Sequence, residues 1–288
     1  MKQEKKIEKI EEKVEETKEV AVPVVEEPVI EIEKAAAAVE VVEEEESAPI
    51  KKAGGFDVSS WNPKTELGKK VKAGEIVSIE PILEHGKKIL ESEIVDILLS
   101  SAGNELLMIG QSKGKFGGGA RRVFKQTQKK TPEGNKPSFS CIVAFGNKNG
   151  IVGVGYGKSK DTVPAREKAM RKSKINIFKI RRGCGSWECG CKTPHSIPFH
   201  VEGKCGSVRI ELIPAPKGKG LCVEQECAKI LQLAGIKDVW SKTSGQTRSK
   251  INIIYACIDA LKKLNAVKVQ HDQAENVGMK EGIIAGAE

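Results

Sequence analysis

Residues Cys141–Lys174 read CIVAFGNKNGIVGVGYGKSKDTVPAREKAMRKSK, and the order of patterns in them decides the fold: strand, tight turn, glycine-rich return strand, basic loop, helix. From Phe139 to Phe145 the side chains alternate. Phe139, Cys141, Val143 and Phe145 face one way; Ser140, Ile142 and Ala144 face the other. Asn147-Lys148-Asn149-Gly150 supplies residues that tolerate positive φ, the requirement of a short hairpin turn. On the return strand, Ile151 to Tyr156, the residues Gly153, Gly155 and Gly157 fall on one face. A strand face without side chains lets another backbone come close. That backbone is either RNA or a packed helix, and both readings stand.

The helix is expected over Val163–Ile180, with Thr162 as N-cap and Pro164 in the first turn, where a missing N–H is harmless. Ala165, Ala169, Ser173, Ile177 and Ile180 make a narrow stripe suited to close packing on a sheet. Arg166, Lys168, Arg171, Lys172, Lys174 and Lys179 cover the remainder, and Arg181 and Arg182 follow. Only Glu167 offsets them, which favours contact with phosphate over a merely solvated face.

Working upstream, Arg122–Thr131 reads as a strand carrying Arg122, Lys125, Lys129 and Lys130, closed by a turn at Pro132–Asn135. Before it, residues 111–122 (QSKGKFGGGARR) form a glycine-rich basic loop. It suits either moulding to a phosphate backbone or plain linkage. Ile94, Ile97 and Leu98 lie at helical spacing in residues 91–101. Residues 51–90, with Trp61 as an aromatic anchor, read as a strap docking on the next domain. Downstream, residues 183–206 read as a Cys/Gly-rich linker. Residues 207–270 then give strand (Ser207–Ile213), helix (Glu224–Ala234, closed by Gly235), short strand (Val239–Thr243) and helix (Thr247–Leu264), a small layer with its own core. Residues 271–288 are a weakly patterned tail.

The chain of 288 residues has a formal net charge of +9, but the charge is uneven. Residues 1–50 hold 16 Glu and 7 Lys with no Asp or Arg, net −9, so the other 238 residues carry +18. Low in aromatic residues and interrupted by Pro23, Pro28 and Pro49, the first 50 residues read as a disordered acidic tail. A body of +18 implies a polyanionic partner, nucleic acid first and an anionic membrane surface second. No apolar run reaches the length of a membrane span, and the N-terminus lacks an apolar signal region, so a cytosolic protein is expected. In that compartment eight cysteines are thiols or metal ligands rather than disulfides.

Catalytic signatures fail one by one. A P-loop ending in Gly157-Lys158-Ser159 needs glycine at position 152, which is Val152. His200-x-Glu202 lacks the Pro-Cys-x-x-Cys half of a zinc deaminase. No Ser/His/Asp or Cys/His nucleophile pattern exists, and no enzyme is expected. One metal candidate remains, Cys184, Cys189 and Cys191 followed by His195, a donor set for tetrahedral Zn²⁺. Its spacing is not that of a standard finger, so zinc and free thiols both stand. Cys141, Cys222, Cys227 and Cys257 sit in apolar patterns and are expected to be buried.

Three runs together carry a resemblance: GNKNGIVGVGYGKSKDTVPAREKAMRKSKINI, RRGCGSWECGCKTPHSIPFHVEGKCGSVRIELIPAPKGKGL and LAGIKDVWSKTSGQTRSKIN. With WNPKTELGKKV upstream, the chain resembles the universal small-subunit ribosomal protein five family in its archaeal and eukaryotic form, over about residues 56–270. The acidic extension lies outside the likeness, and QSKGKFGGGA looks like an insertion. The resemblance implies an α+β protein. Residues 91–182 would form a double-stranded-RNA-binding-like domain, helix, three-stranded sheet, helix; a small C-terminal α/β two-layer domain would follow. It implies a structural rRNA-binding role in the small subunit, beside the mRNA channel, with an influence on decoding accuracy and with ribosomal proteins three, four and eight as neighbours. It places the hairpin Arg121–Lys130 toward the decoding region. It places Lys148, Asn149, Lys158, Ser159 and Lys160 at rRNA-facing positions.

Overall fold

The computed structural model describes residues 61–111 and 121–283. The acidic tail, the first part of the strap and all but the first residue of QSKGKFGGGA lie outside the described residues. In chain order the helices are α1 (Glu66–Lys72), α2 (Glu80–Glu84), α3 (Ser92–Leu98), α4 (Thr162–Ile175), α5 (Gln225–Ala234), α6 (Lys250–Ala266) and α7 (His271–Val277). The strands are β1 (Gly103–Leu107), β2 (Lys125–Thr131), β3 (Gly134–Gly146), β4 (Ile151–Ser159), β5 (Ile177–Lys179), β6 (Arg181–Arg182), β7 (Val201–Cys205), β8 (Val208–Pro214), β9 (Leu221–Cys222), β10 (Val239–Ser244) and β11 (Lys280–Glu281).

Strands β3 and β4 form the expected hairpin, in register from Gly146↔Val152 to Phe139↔Ser159. Its turn is held locally: Asn147 Oδ1 accepts from the amides of Asn149 (2.8 Å) and Ile151 (3.0 Å). Lys148 (φ 57°) and Gly150 (φ 88°) take the left-handed conformations it needs. β1 and β2 share the free edge of β3 end to end, β1 against residues 142–146 and β2 against residues 134–140. β5 pairs with β4, completing a five-stranded sheet where three strands were expected.

The glycine stripe resolves in favour of a helix. A Cβ at Gly153, Gly155 or Gly157 would overlap the backbone of α4, at the carbonyls of Ser173, Ala169 and Ala165 respectively. Ala165, Ala169 and Ser173 are fully buried against that face. α4 is shorter than expected. Its N-cap is Asp161 rather than Thr162, and it ends at Ile175. Ile177 and Ile180 leave the helix because Ile177 is captured by the β4 edge, opposite Gly153.

The other face of the same sheet is also buried. Ile142, Ala144, Val152 and Val154 join Leu231 and Leu233 of α5, Ile210 and Leu212 of β8, and Ile254 and Leu261 of α6 in one apolar cluster. The C-terminal layer therefore does not keep a core to itself. Its sheet runs β7-β8-β10-β9, with β9 and β10 parallel. α5 begins with Glu224, whose carboxylate accepts from the amides of Glu226 and Cys227, and ends on Gly235 at φ 82°. Two sequence expectations need correction here. The linker 183–206 contains β7, which pairs with β8 from Val201↔Leu212 to Cys205↔Val208. The tail contains α7 and β11, and β11 pairs with β6. Short strands such as VEGKC carry little pattern of their own; their partners hold them.

The segment before the sheet packs rather than trails. Trp61, Leu67, Val71, Ile79, Ile82, Ile94 and Val95 cluster with Phe145, Ile151 and Ile177 of the sheet. Glu91 Oε1 accepts from the amides of Lys64 (2.9 Å) and Thr65 (2.7 Å), tying the start of α1 to the approach of α3.

Candidate nucleic-acid interface

Strand β4 ends opposite Phe139, so beyond that pair β2 and β3 continue as a two-stranded ribbon. The five pairs from Thr127↔Ser138 to Thr131↔Gly134 extend it roughly 16 Å from the sheet at about 3.3 Å per residue. Residues 126–130 and 132–137 are exposed, so no apolar burial explains the projection. The ribbon holds itself by a Thr127–Ser138 hydroxyl bond (2.8 Å), a bond from Thr131 Oγ1 to the Gly134 carbonyl (2.7 Å) and a Glu133–Lys136 ion pair (2.8 Å). Lys129 stands directly across from Lys136. Opposed like charges weaken a ladder; Glu133 offsets Lys136, and Lys129 is the member of the pair with no ion-pair partner among the described residues.

At the root of the ribbon lie Arg122 and the end of β4, where Lys158 is exposed and Ser159 half-buried, followed by the exposed Lys160. Along α4, Lys168, Arg171 and Lys172 are exposed and Arg166 is half-buried. Among the described residues none of these cations forms an ion pair, nor do Lys125, Lys129 and Lys130. Arg121 is tied lightly, donating to the carbonyl of Arg248 at 3.3 Å.

Other expected contacts are engaged inside the molecule. Lys174 pairs with Asp96 at 2.6 Å, clipping α4 to α3. Arg181 binds the Glu281 carboxylate and donates to the Leu264 and Val267 carbonyls. Arg182 is 4% exposed, and its Nη2 donates to Asn149 Oδ1 (2.7 Å) and the Gly282 carbonyl (3.2 Å). The turn itself docks on the C-terminus of α5: the amides of Lys148 and Gly150 donate to the carbonyls of Leu233 (2.8 Å) and Ala234 (3.0 Å). Of that turn's proposed contacts only the Lys148 side chain stays exposed. Internal pairing, invisible in a list of basic residues, separates the two classes.

The second candidate site gathers as the spacing suggested. The donor atoms of Cys184, Cys189, Cys191 and His195 all lie within 4.8 Å of one another. Cys184 is buried, and burial with the neighbouring Cys191 and Cys189 pushes its thiol up to about 11. The Thr193 hydroxyl and amide lower Cys191 to about 6. His195 Nδ1 lies 2.9 Å from Asp238 Oδ2, both groups buried. Asp238 was not legible as part of the site, because it lies 43 residues away on the approach to β10. Elsewhere Cys141, Cys227 and Cys257 are buried as expected, but Cys222 is exposed at the outer strand of its sheet. Burial raises the Cys141 thiol to about 11 and leaves it inert.

Comparison with known proteins fits this architecture. Residues 120–181 match the family described as Ribosomal protein S5, N-terminal domain, and residues 203–276 match Ribosomal protein S5, C-terminal domain. A protein of Nanoarchaeum equitans called small ribosomal subunit protein uS5 is 49% identical over 228 residues, covering 79% of this chain and 98% of that one. This chain belongs to the uS5 family. The uS5 protein of Methanocaldococcus jannaschii is 44% identical over 227 residues, covering 79% of this chain and 98% of its own. That of Pyrobaculum aerophilum is 46% identical over 214 residues, 74% and 91% respectively. The uS5 family consists of ribosomal structural proteins, not enzymes. Among the described residues no helix is long and apolar enough to cross a membrane.

Proposed function

We propose that this uS5-family chain is a structural constituent of the small ribosomal subunit, working in the cytoplasm and binding rRNA through phosphate and shape contacts. The observation that carries the reading is the projecting ribbon, whose Lys125, Lys129 and Lys130 form no ion pair among the described residues, with Lys158, Lys160 and the α4 cations beside its root. In this reading α3, the five-stranded sheet and α4 act as a double-stranded-RNA-binding-like module, which reads backbone geometry rather than base edges. Arg121, Arg122, Lys125, Lys129, Lys130, Lys148, Lys158, Ser159, Lys160, Arg166 and Lys172 are its RNA contacts. The ribbon reaches toward the decoding region, the protein borders the channel through which mRNA enters, and ribosomal proteins three, four and eight are its neighbours. Through these positions it supports decoding accuracy.

The test is a salt titration of full-length chain binding to small-subunit rRNA. Each lost phosphate contact lowers the slope of log K against log salt by about 0.9. Replacing Lys129 and Lys130 together by alanine is expected to lower the slope by about two, with folding stability unchanged within about 0.5 kcal/mol. A folded chain that ignores rRNA at low salt overturns the reading. So does a double variant with the wild-type slope.

A further inference from the structure

We propose that Cys184, Cys189, Cys191 and His195 bind one zinc ion, and that Asp238 orients the imidazole for it. A tetrahedral site with Zn–S near 2.3 Å and Zn–N near 2.0 Å sets its donors roughly 3.5–3.8 Å apart. Here all four donor atoms lie within 4.8 Å, and Cys189 Sγ stands 3.8 Å from His195 Nε2. Three thiolates and an imidazole select zinc over the oxygen-seeking magnesium and calcium.

The histidine is set for this task. Its Nδ1 is taken by Asp238 Oδ2 at 2.9 Å, so Nε2 is the nitrogen turned to the thiols. A carboxylate behind a histidine ligand fixes its tautomer and the orientation of its ring. Asp238 is held independently of the histidine: its Oδ1 accepts from the amides of Gly218 (3.0 Å) and Gly220 (2.8 Å). The zinc ion would thus anchor two segments. One is the stretch from Trp187 to Pro194, which has no buried side chain and carries Trp187 at 89% exposure. The other is the β8–β9 loop, whose exposed Lys217 and Lys219 sit beside the glycines that Asp238 holds. A metal can replace the core that such a loop lacks.

Metal analysis of the full-length chain, purified under reducing conditions, tests the proposal. About one zinc per chain is expected, and cobalt exchanged into the site should show the intense visible bands of tetrahedral thiolate coordination. Cys189→Ser should lower zinc affinity tenfold or more, whereas Cys222→Ser, at an exposed thiol elsewhere, should leave it unchanged. Asp238→Asn keeps all four ligands and should weaken zinc binding about 10–100-fold while raising amide exchange at Gly218 and Gly220. A wild-type chain that takes up neither zinc nor cobalt overturns the site. Full zinc affinity in Cys189→Ser does the same. Wild-type zinc affinity in Asp238→Asn overturns the orienting role.

Discussion

Gly155→Val is expected to lower the melting temperature by roughly 6–12 °C, the consequence of about 3 kcal/mol in a body of this size. A Cβ at Gly155 would overlap the carbonyl oxygen of Ala169 and the amide nitrogen of Ser173. Both are backbone atoms of α4, so neither can rotate away as a side chain would. The helix must lift from the sheet, opening the small cluster of Cys141, Val143, Ala165 and Ala169. Lifting also strains the Lys174–Asp96 clip between α4 and α3. Thermal unfolding of the purified chain measures the effect. An unchanged transition would mean that no helix occupies this face, and the glycines would again be candidates for close approach of RNA.

Arg182→Ala is expected to destabilise the fold by about 3 kcal/mol and to leave the salt dependence of RNA binding untouched. The guanidinium joins three pieces distant in sequence: the hairpin turn through Asn149, the terminal segment through the Gly282 carbonyl, and the C-terminal end of α5, where Nη1 lies beside Gly235. Removing it deprives the buried Gly282 carbonyl of this donor, unties the hairpin turn from the terminal segment and takes a positive charge from a helix C-terminus. Arg182→Lys should not restore stability, because a compact ammonium on a flexible stem cannot place one nitrogen on both oxygens and a second beside Gly235 as the planar guanidinium does. Chemical denaturation at fixed salt gives the stability, and the rRNA titration gives the slope. Unaltered stability with a slope reduced by about one would make Arg182 a phosphate ligand after all.

The two residue classes, Lys129 and Lys130 against Arg181 and Arg182, are equivalent as basic pairs in the sequence. The first pair sits on a ribbon with no partner among the described residues; the second is consumed by Glu281, Asn149 and main-chain carbonyls. Nothing local separates them, because burial is a property of what comes to lie on top. The same holds for the thiol cluster. Cys184, Cys189, Cys191 and His195 fall within 12 residues of chain and were legible by spacing, while Asp238 was not.

Short-range signals, then, were sufficient for the β3–β4 hairpin, the stop of α5 at Gly235, the small-residue stripe of α4 and the excess of positive charge. Each depends on neighbours within a few residues, where φ preference and side-chain period act directly. Where α4 ends, that β5, β6, β7 and β11 are strands, and what fills the glycine face were settled by partners brought from far along the chain. So was the joining of both halves through one apolar cluster. Strand pairing and close packing draw their free energy from contacts that exist only once the chain has folded.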